Sequence, residues 1–255
     1  MTITVAMSTI EAVMLASVRI AAFLVVAPPF SHRGIPSRIK AMLSVGLALA
    51  VLPRLEVHTE GLSTGDYLGA LVTQVLVGAG LGFVVQLIFS AVTAAGSMID
   101  LSGGFQMAQA YDPGSQVNGA QFTRLFQMLT IVLLFSTGAY QVMLTGLAQS
   151  FDVVPVVGGT LDTGRLAQSL TEGLTRMFVC ALQISGPLVV VLFLADAALG
   201  LVTRVAPALN AFVLGFPLKI LLTLTLGVYV LLAVPEMVTS LSGQVVSAFN
   251  DVLGG

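Results

Sequence analysis

Charge is what this sequence has least of. Of 255 residues, 9% are Asp, Glu, Lys or Arg, and the formal net charge is -2. Soluble domains carry about 25% charged residues, so a soluble globular class is excluded. The near-neutral balance leaves no basic footprint for nucleic acid. Tryptophan is absent, which thins the aromatic belt expected at a membrane interface. A single cysteine, Cys180, excludes an internal disulfide and a cysteine metal cluster. Two histidines, His32 and His58, are too few and too far apart in sequence to suggest a metal site. There is no Gly-x-x-x-x-Gly-Lys loop and no His-Glu-x-x-His. Nothing calls for a cofactor, a metal or an enzymatic reaction; such a chain channels, carries or scaffolds.

What is abundant is apolar surface: 56% hydrophobic residues and a mean hydropathy of +1.01. Ten methionines and 26 glycines suit adaptable, close helix packing. The expectation is an all-α, polytopic membrane-associated protein with about six hydrophobic segments. Met1 to Thr9 holds no Lys or Arg, so it lacks the basic start of a cleaved signal, and the first segment reads as retained.

In order, Ile10 to Pro29 predicts a helix stopped by Pro28-Pro29. Arg19 lies inside it, and a charge at mid-bilayer costs a few kcal/mol unless paired or hydrated. Glu11, eight residues away, sits about 80° round the helix and is a poor partner. Arg19 therefore either pairs elsewhere or snorkels. Ala41 to Leu52 is too short to span alone, since a crossing takes roughly 20 apolar residues. Tyr67 to Ile99 is a charge-free run too long for an untilted crossing, with a bend or split expected near Gly78–Gly82 or Ala94–Gly96. Gly78 and Gly82 also form a small-xxx-small face for close backbone contact.

Leu101 to Thr123 carries one charge, Asp112, and its glycines, its Asp-Pro-Gly and its Asn-Gly oppose a long helix. A membrane tolerates irregular backbone only where protein buries it or where it lines a cavity. Neutral and soft, with Phe105, Met107 and Tyr111, the stretch suits a flexible stopper; periodicity alone leaves an ordinary interhelical loop open. Asp100 and Arg124 bracket it and are placed to pair across its neck. Leu125 to Phe151 is a second charge-free run. Met177 to Ala195 predicts a span bent at Pro187, with Asp196 an ionisable residue in the apolar stretch beyond it. Arg204 to Lys219 reads as a turn, and Ile220 to Val234 as a last span ended by Pro235. Arg33, Arg38, Lys40, Arg124, Arg204 and Lys219 outnumber Arg54, Arg165 and Arg176, which favours the first, third and fifth turns inside and both termini outside.

Two motifs carry a family resemblance. Gly96-x-x-Ile99-Asp100-x-x-x-Gly104-Phe105-x-Met107-Ala108-x-x-x-Asp112-Pro113 resembles the middle of the FliR family of type III secretion export-gate proteins. Arg204-Val205-Ala206-Pro207-x-Leu209-Asn210-x-Phe212-x-x-Gly215-Phe216-Pro217-Leu218-Lys219 resembles that family's C-terminal turn. Arg19, Pro28-Pro29 and Gly34-Ile35-Pro36 also fit. The gate proteins of virulence injectisomes are the near alternative.

The resemblance implies bent helical hairpins assembled in a helical export-gate complex at the flagellar basal body of the bacterial inner membrane. It implies FliP, FliQ, FlhB and FlhA as partners and unfolded secretion substrates as cargo. It implies a FliP-like portion over 1–170, with a plug loop at 103–118, and a FliQ-like hairpin and tail over 171–255. Gly103, Gly104, Phe105, Gln106, Met107, Tyr111, Asp112 and Pro113 would then help close a pore. Arg204, Pro207, Asn210, Phe212, Pro217 and Lys219 would contact neighbouring subunits or anchor the turn. The ionisable residues Arg19, Asp100, Arg124 and Asp196 are the remaining candidates. A rival reading is a secondary ion-coupled transporter using Asp100, Asp196 and Glu11, but such folds show broken helices in both halves, and only one interrupted segment stands out.

Overall fold

The computed structural model describes residues 7–32, 34–55, 63–106, 121–159, 162–206 and 211–253, and among these it holds seven α-helices and one 3-10 turn. The helices are α1 (Met7–Val26), α2 (Ser37–Val51), α3 (Thr64–Gly103), α4 (Gln121–Ser136), α5 (Ala139–Val153), α6 (Thr163–Val205) and α7 (Ala211–Leu253). Among the described residues there is no strand. The all-α, membrane-type expectation holds: four helices are long and apolar enough to cross a bilayer, or five crossings if α4 and α5 count as one bent span. The sixth expected segment, α2, has 15 residues, about 22 Å at 1.5 Å per residue, against a hydrocarbon core of about 30 Å.

Several boundaries differ from the sequence expectation. The run from Tyr67 does not split at its glycines; α3 is one unbroken 40-residue helix. The run Leu125–Phe151 does break, at Thr137 and Gly138, where Gly138 adopts φ 74°. α6 runs through Pro187, and α7 through Pro217 and Pro235. The turn after Arg204 is therefore shorter than expected, and Pro217 and Lys219 are helical.

The chain divides into two compact units. The first comprises residues 1–88, 134–174 and 241–255. Its core face on α1 is Ala12, Leu15, Ala16, Arg19, Ile20, Phe23 and Leu24, the i, i+3, i+4 spacing of one helical stripe. α3 crosses α1 at the expected small-residue face. A Cβ on Gly78 would collide with the Arg19 carbonyl oxygen, and one on Gly82 would sit 3.1 Å from the Phe23 oxygen. Backbones this close gain dispersion that larger side chains would prevent. Phe249 of α7 packs edge-on against Phe23, with ring centroids 6.4 Å apart, and fills the space above Gly146 of α5.

The second unit comprises residues 89–133 and 175–240. Val92, Ala95 and Ile99 of α3, Phe122 and Phe126 of α4, and Leu188, Leu192, Val234 and Val238 of α6 and α7 are buried there. Much of α6 and α7 presents apolar side chains outward, including Phe193, Leu201, Tyr229 and Leu232, at 67–72% exposure.

Candidate functional site

The first half of the central motif is built in the second unit, and its glycines, Asp100 and Phe105 each have a physical task. α3 ends in a Schellman arrangement. The Gly104 amide donates to the Leu101 carbonyl at 3.4 Å, and the Phe105 amide reaches back to the Asp100 carbonyl at 3.0 Å. That closure needs a left-handed residue one step past the helix, and Gly104 supplies it with φ 80°. Gly103 is buried, and a Cβ there would press on the Thr223 hydroxyl at 2.8 Å. Phe105, half-buried, stacks edge-on against Phe122, with ring centroids 5.5 Å apart. Gln106 is exposed.

Asp100 is fully buried, and its carboxylate faces the start of α4. Oδ1 accepts the Phe122 amide at 3.0 Å; Oδ2 accepts the Thr123 amide at 2.8 Å and the Thr123 hydroxyl at 2.7 Å. The first amides of a helix have no partner within it. Here α3 satisfies two of them, and a negative group sits favourably at the positive end of the α4 dipole. Gly96, one turn before Asp100, makes this reachable: a Cβ there would lie 2.9 Å from the Phe122 oxygen and from the Thr123 Cα. The expected Asp100–Arg124 pair does not form. Arg124 is exposed, and backbone donors take the carboxylate. Met107, Tyr111, Asp112 and Pro113 lie outside the described residues.

Arg19, in the first unit, is also fully buried, so it does not snorkel. Its Nε donates to Gln74 Oε1 at 2.6 Å, one terminal nitrogen to the Ser150 carbonyl at 2.9 Å and hydroxyl at 3.1 Å, and the other to the Val154 carbonyl at 2.6 Å. The guanidinium stands 4.1 Å above the Phe151 ring. Its partners are neutral oxygens, and those of Ser150 and Val154 lie at the C-terminal end of α5, where a helix dipole favours a cation. Gln74 in turn donates to the Val156 carbonyl at 3.0 Å. The partners of Arg19 belong to its own chain, and Glu11 is not one of them.

In the second unit, Lys219 pairs with Asp196 at 2.8 Å, tying α7 to α6. Arg204 is exposed in the last turn of α6, and Pro217 is exposed within α7. Pro207 and Asn210 lie outside the described residues, as does the side chain of Phe212. Sequence reasoning missed Gln74, Ser150, Val154 and Thr123. A glutamine in a charge-free run was the one available signal, and it does not name its partner. No group of three or more His, Cys, Asp or Glu that could hold a metal occurs among the described residues.

The model of the family described as Bacterial export proteins, family 1, matches residues 10–245. The chain is 31% identical over 235 residues to the flagellar biosynthetic protein FliR of Escherichia coli K12, covering 92% of this chain and 88% of that one. It is 32% identical over 211 residues to the FliR of Bacillus subtilis 168, covering 82% of each. It is also 32% identical over 241 residues to the FliR of Pectobacterium carotovorum, covering 92% of this chain and 90% of the relative.

Proposed function

The chain belongs to the FliR family of bacterial export proteins and is a membrane component of the flagellar type III export apparatus; within that apparatus we propose that it is a core subunit of the export gate. In this reading it forms part of the conduit for unfolded flagellar proteins, and its residues 103–118 act as a plug that seals the conduit at rest. It sits in the bacterial inner membrane at the basal body, with FliP, FliQ, FlhB and FlhA as partners. Residues 1–170 form the FliP-like portion and residues 171–255 the FliQ-like hairpin and tail. It performs no catalysis of its own.

The observation that carries the sealing role is the neck. The stretch leaves α3 at Gly104 and rejoins α4 at Gln121, and one carboxylate, Asp100, bonds the rejoining end. A neutral lining of Met, Phe, Gln and Gly makes weak contacts with any passing side chain, so a moving polypeptide is not trapped, and the same groups collapse when the path is empty. The outward apolar faces of α6 and α7 suit burial against other subunits or lipid. In the same reading, Arg204, Pro207, Asn210, Phe212, Pro217 and Lys219 contact a neighbouring subunit or anchor the turn.

A small-solute transporter is less well supported. Arg19 and Asp100 are consumed by bonds to backbone and amide groups, and Asp196 is paired. Nothing in those contacts favours a virulence injectisome, and the relatives above are flagellar in name.

The test is deletion of Gly104 to Tyr111 in cells carrying the assembled gate, with membrane potential and small-ion leakage as readouts. Leakage is expected to rise at unchanged gate abundance. Unchanged leakage would count against the plug.

A further inference from the structure

We propose that Asp100 is a positioning residue that ties the two feet of the central stretch together, and that sealing requires this tie; the inference rests on the sealing role argued above. The carbonyl of Asp100 receives the Phe105 amide at one foot, while its carboxylate receives the Phe122 and Thr123 amides and the Thr123 hydroxyl at the other. One residue thus closes the end of α3 and opens α4. Helices normally take such a cap from the residue just before them. In this sequence that residue is Ala120, which has no side-chain acceptor.

A local cap would serve α4 equally well as a helix. A cap delivered by α3 does something more: the first turn of α4 cannot leave α3 without stranding two amides in an apolar setting, where nothing replaces their bonds. Two neighbours reinforce the tie. Gly96 lets the α4 backbone lie against α3, and the Phe105–Phe122 stack joins the same two feet by their side chains.

The variants that test this act on the carboxylate alone, because Asp100→Ala keeps the carbonyl and therefore the α3 cap. Four chains are compared in cells at equal amounts of assembled gate: the parent, the Gly104–Tyr111 deletion, Asp100→Ala, and Asp100→Ala with Ala120→Asp. Small-ion leakage and membrane potential are the readouts. Loss of a helix cap raises the detached population by roughly five- to tenfold. Asp100→Ala is therefore expected to leak several-fold more than the parent and to approach the deletion. The double variant gives α4 its own cap without the tie, and it is expected to leak as well. Thr123→Val removes one of three donors and should leak between parent and Asp100→Ala.

If the deletion leaks while Asp100→Ala seals, the tie is refuted and the plug survives. If the double variant seals, capping alone mattered and the tie is likewise refuted. If the deletion itself seals, the plug reading fails and the tie with it. Should Asp100→Ala not assemble, the double variant and Thr123→Val decide, and sealing by both overturns the proposal.

Discussion

Among the described residues, the buried Arg19 and Asp100 have no opposite charge beside them, and both hold helix ends in place. Arg19 spreads its charge over Gln74, Ser150 and Val154, and over the face of Phe151. A planar fork with five donors can serve acceptors on three residues at once in fixed directions; an ammonium lacks that geometry. Arg19→Met should leave Gln74 Oε1 and the Val154 carbonyl without this donor, at about 1–3 kcal/mol for each buried group so stranded. Arg19→Lys restores charge but not the fork, so it should also unfold early. Denaturant unfolding of the purified chain in detergent is the measurement, and a Lys variant as stable as the parent would show that charge alone matters. The sequence marked both as ionisable candidates and missed their partners for a physical reason. Gln74 and Ser150 lie 55 and 131 positions from Arg19, and no local pattern encodes such a meeting. Arg124 looked like the natural mate of Asp100 because charges can be matched by eye, whereas backbone amides at a helix start carry no letter in the sequence.

At the level of elements, apolar runs located the helices well and their punctuation badly. Pro28-Pro29 ends α1 as expected, with the described helix stopping at Val26. Single prolines at 187, 217 and 235 do not end α6 or α7, because in a long membrane helix neighbouring groups re-satisfy the freed carbonyls. Gly138 does break a helix that hydropathy ran straight through, and the Ser136-Thr137-Gly138 cluster was the visible warning. The glycines of α3 separate two physical roles within one helix. A Cβ on Gly78 collides with the α1 backbone, whereas one on Gly69 meets nothing within 4 Å. Gly78→Ala should therefore force α1 and α3 apart and cost about 1–3 kcal/mol. Gly69→Ala should stabilise the helix by roughly 0.5–1 kcal/mol. Thermal unfolding of both variants in detergent checks the pair; equal effects would mean that the α1–α3 crossing is looser than its geometry.

At the scale of the whole molecule, the question is how many times the chain crosses. Counting Lys and Arg favoured both termini on one side, which needs an even number of crossings. The first unit argues otherwise. Phe249, close to the end of α7 at Leu253, packs on Phe23. Phe23 lies about 4.5 Å along the axis from the end of α1 at Val26 but about 24 Å from its start at Met7. The end of α7 therefore lies at the Val26 end of α1, and a membrane crossed by α1 puts Met7 and Leu253 on opposite faces. That requires an odd number of crossings: α1, α3, the bent pair α4–α5, α6 and α7 make five, and the 15-residue α2 makes none. The Arg54–Asp152 pair at 3.3 Å sets the segment after α2 beside the end of α5, as one crossing out by α3 and one back by α4–α5 would do under either count. Charge counting differs from this count because it credits α2 with a crossing, which reverses the side of every later turn. Reporter fusions before Met7 and after Leu253, read by an activity confined to one side of the membrane, should give opposite answers in cells containing the assembled apparatus. Matching signals from the two fusions would restore an even count and require α2, short as it is, to pass through the bilayer.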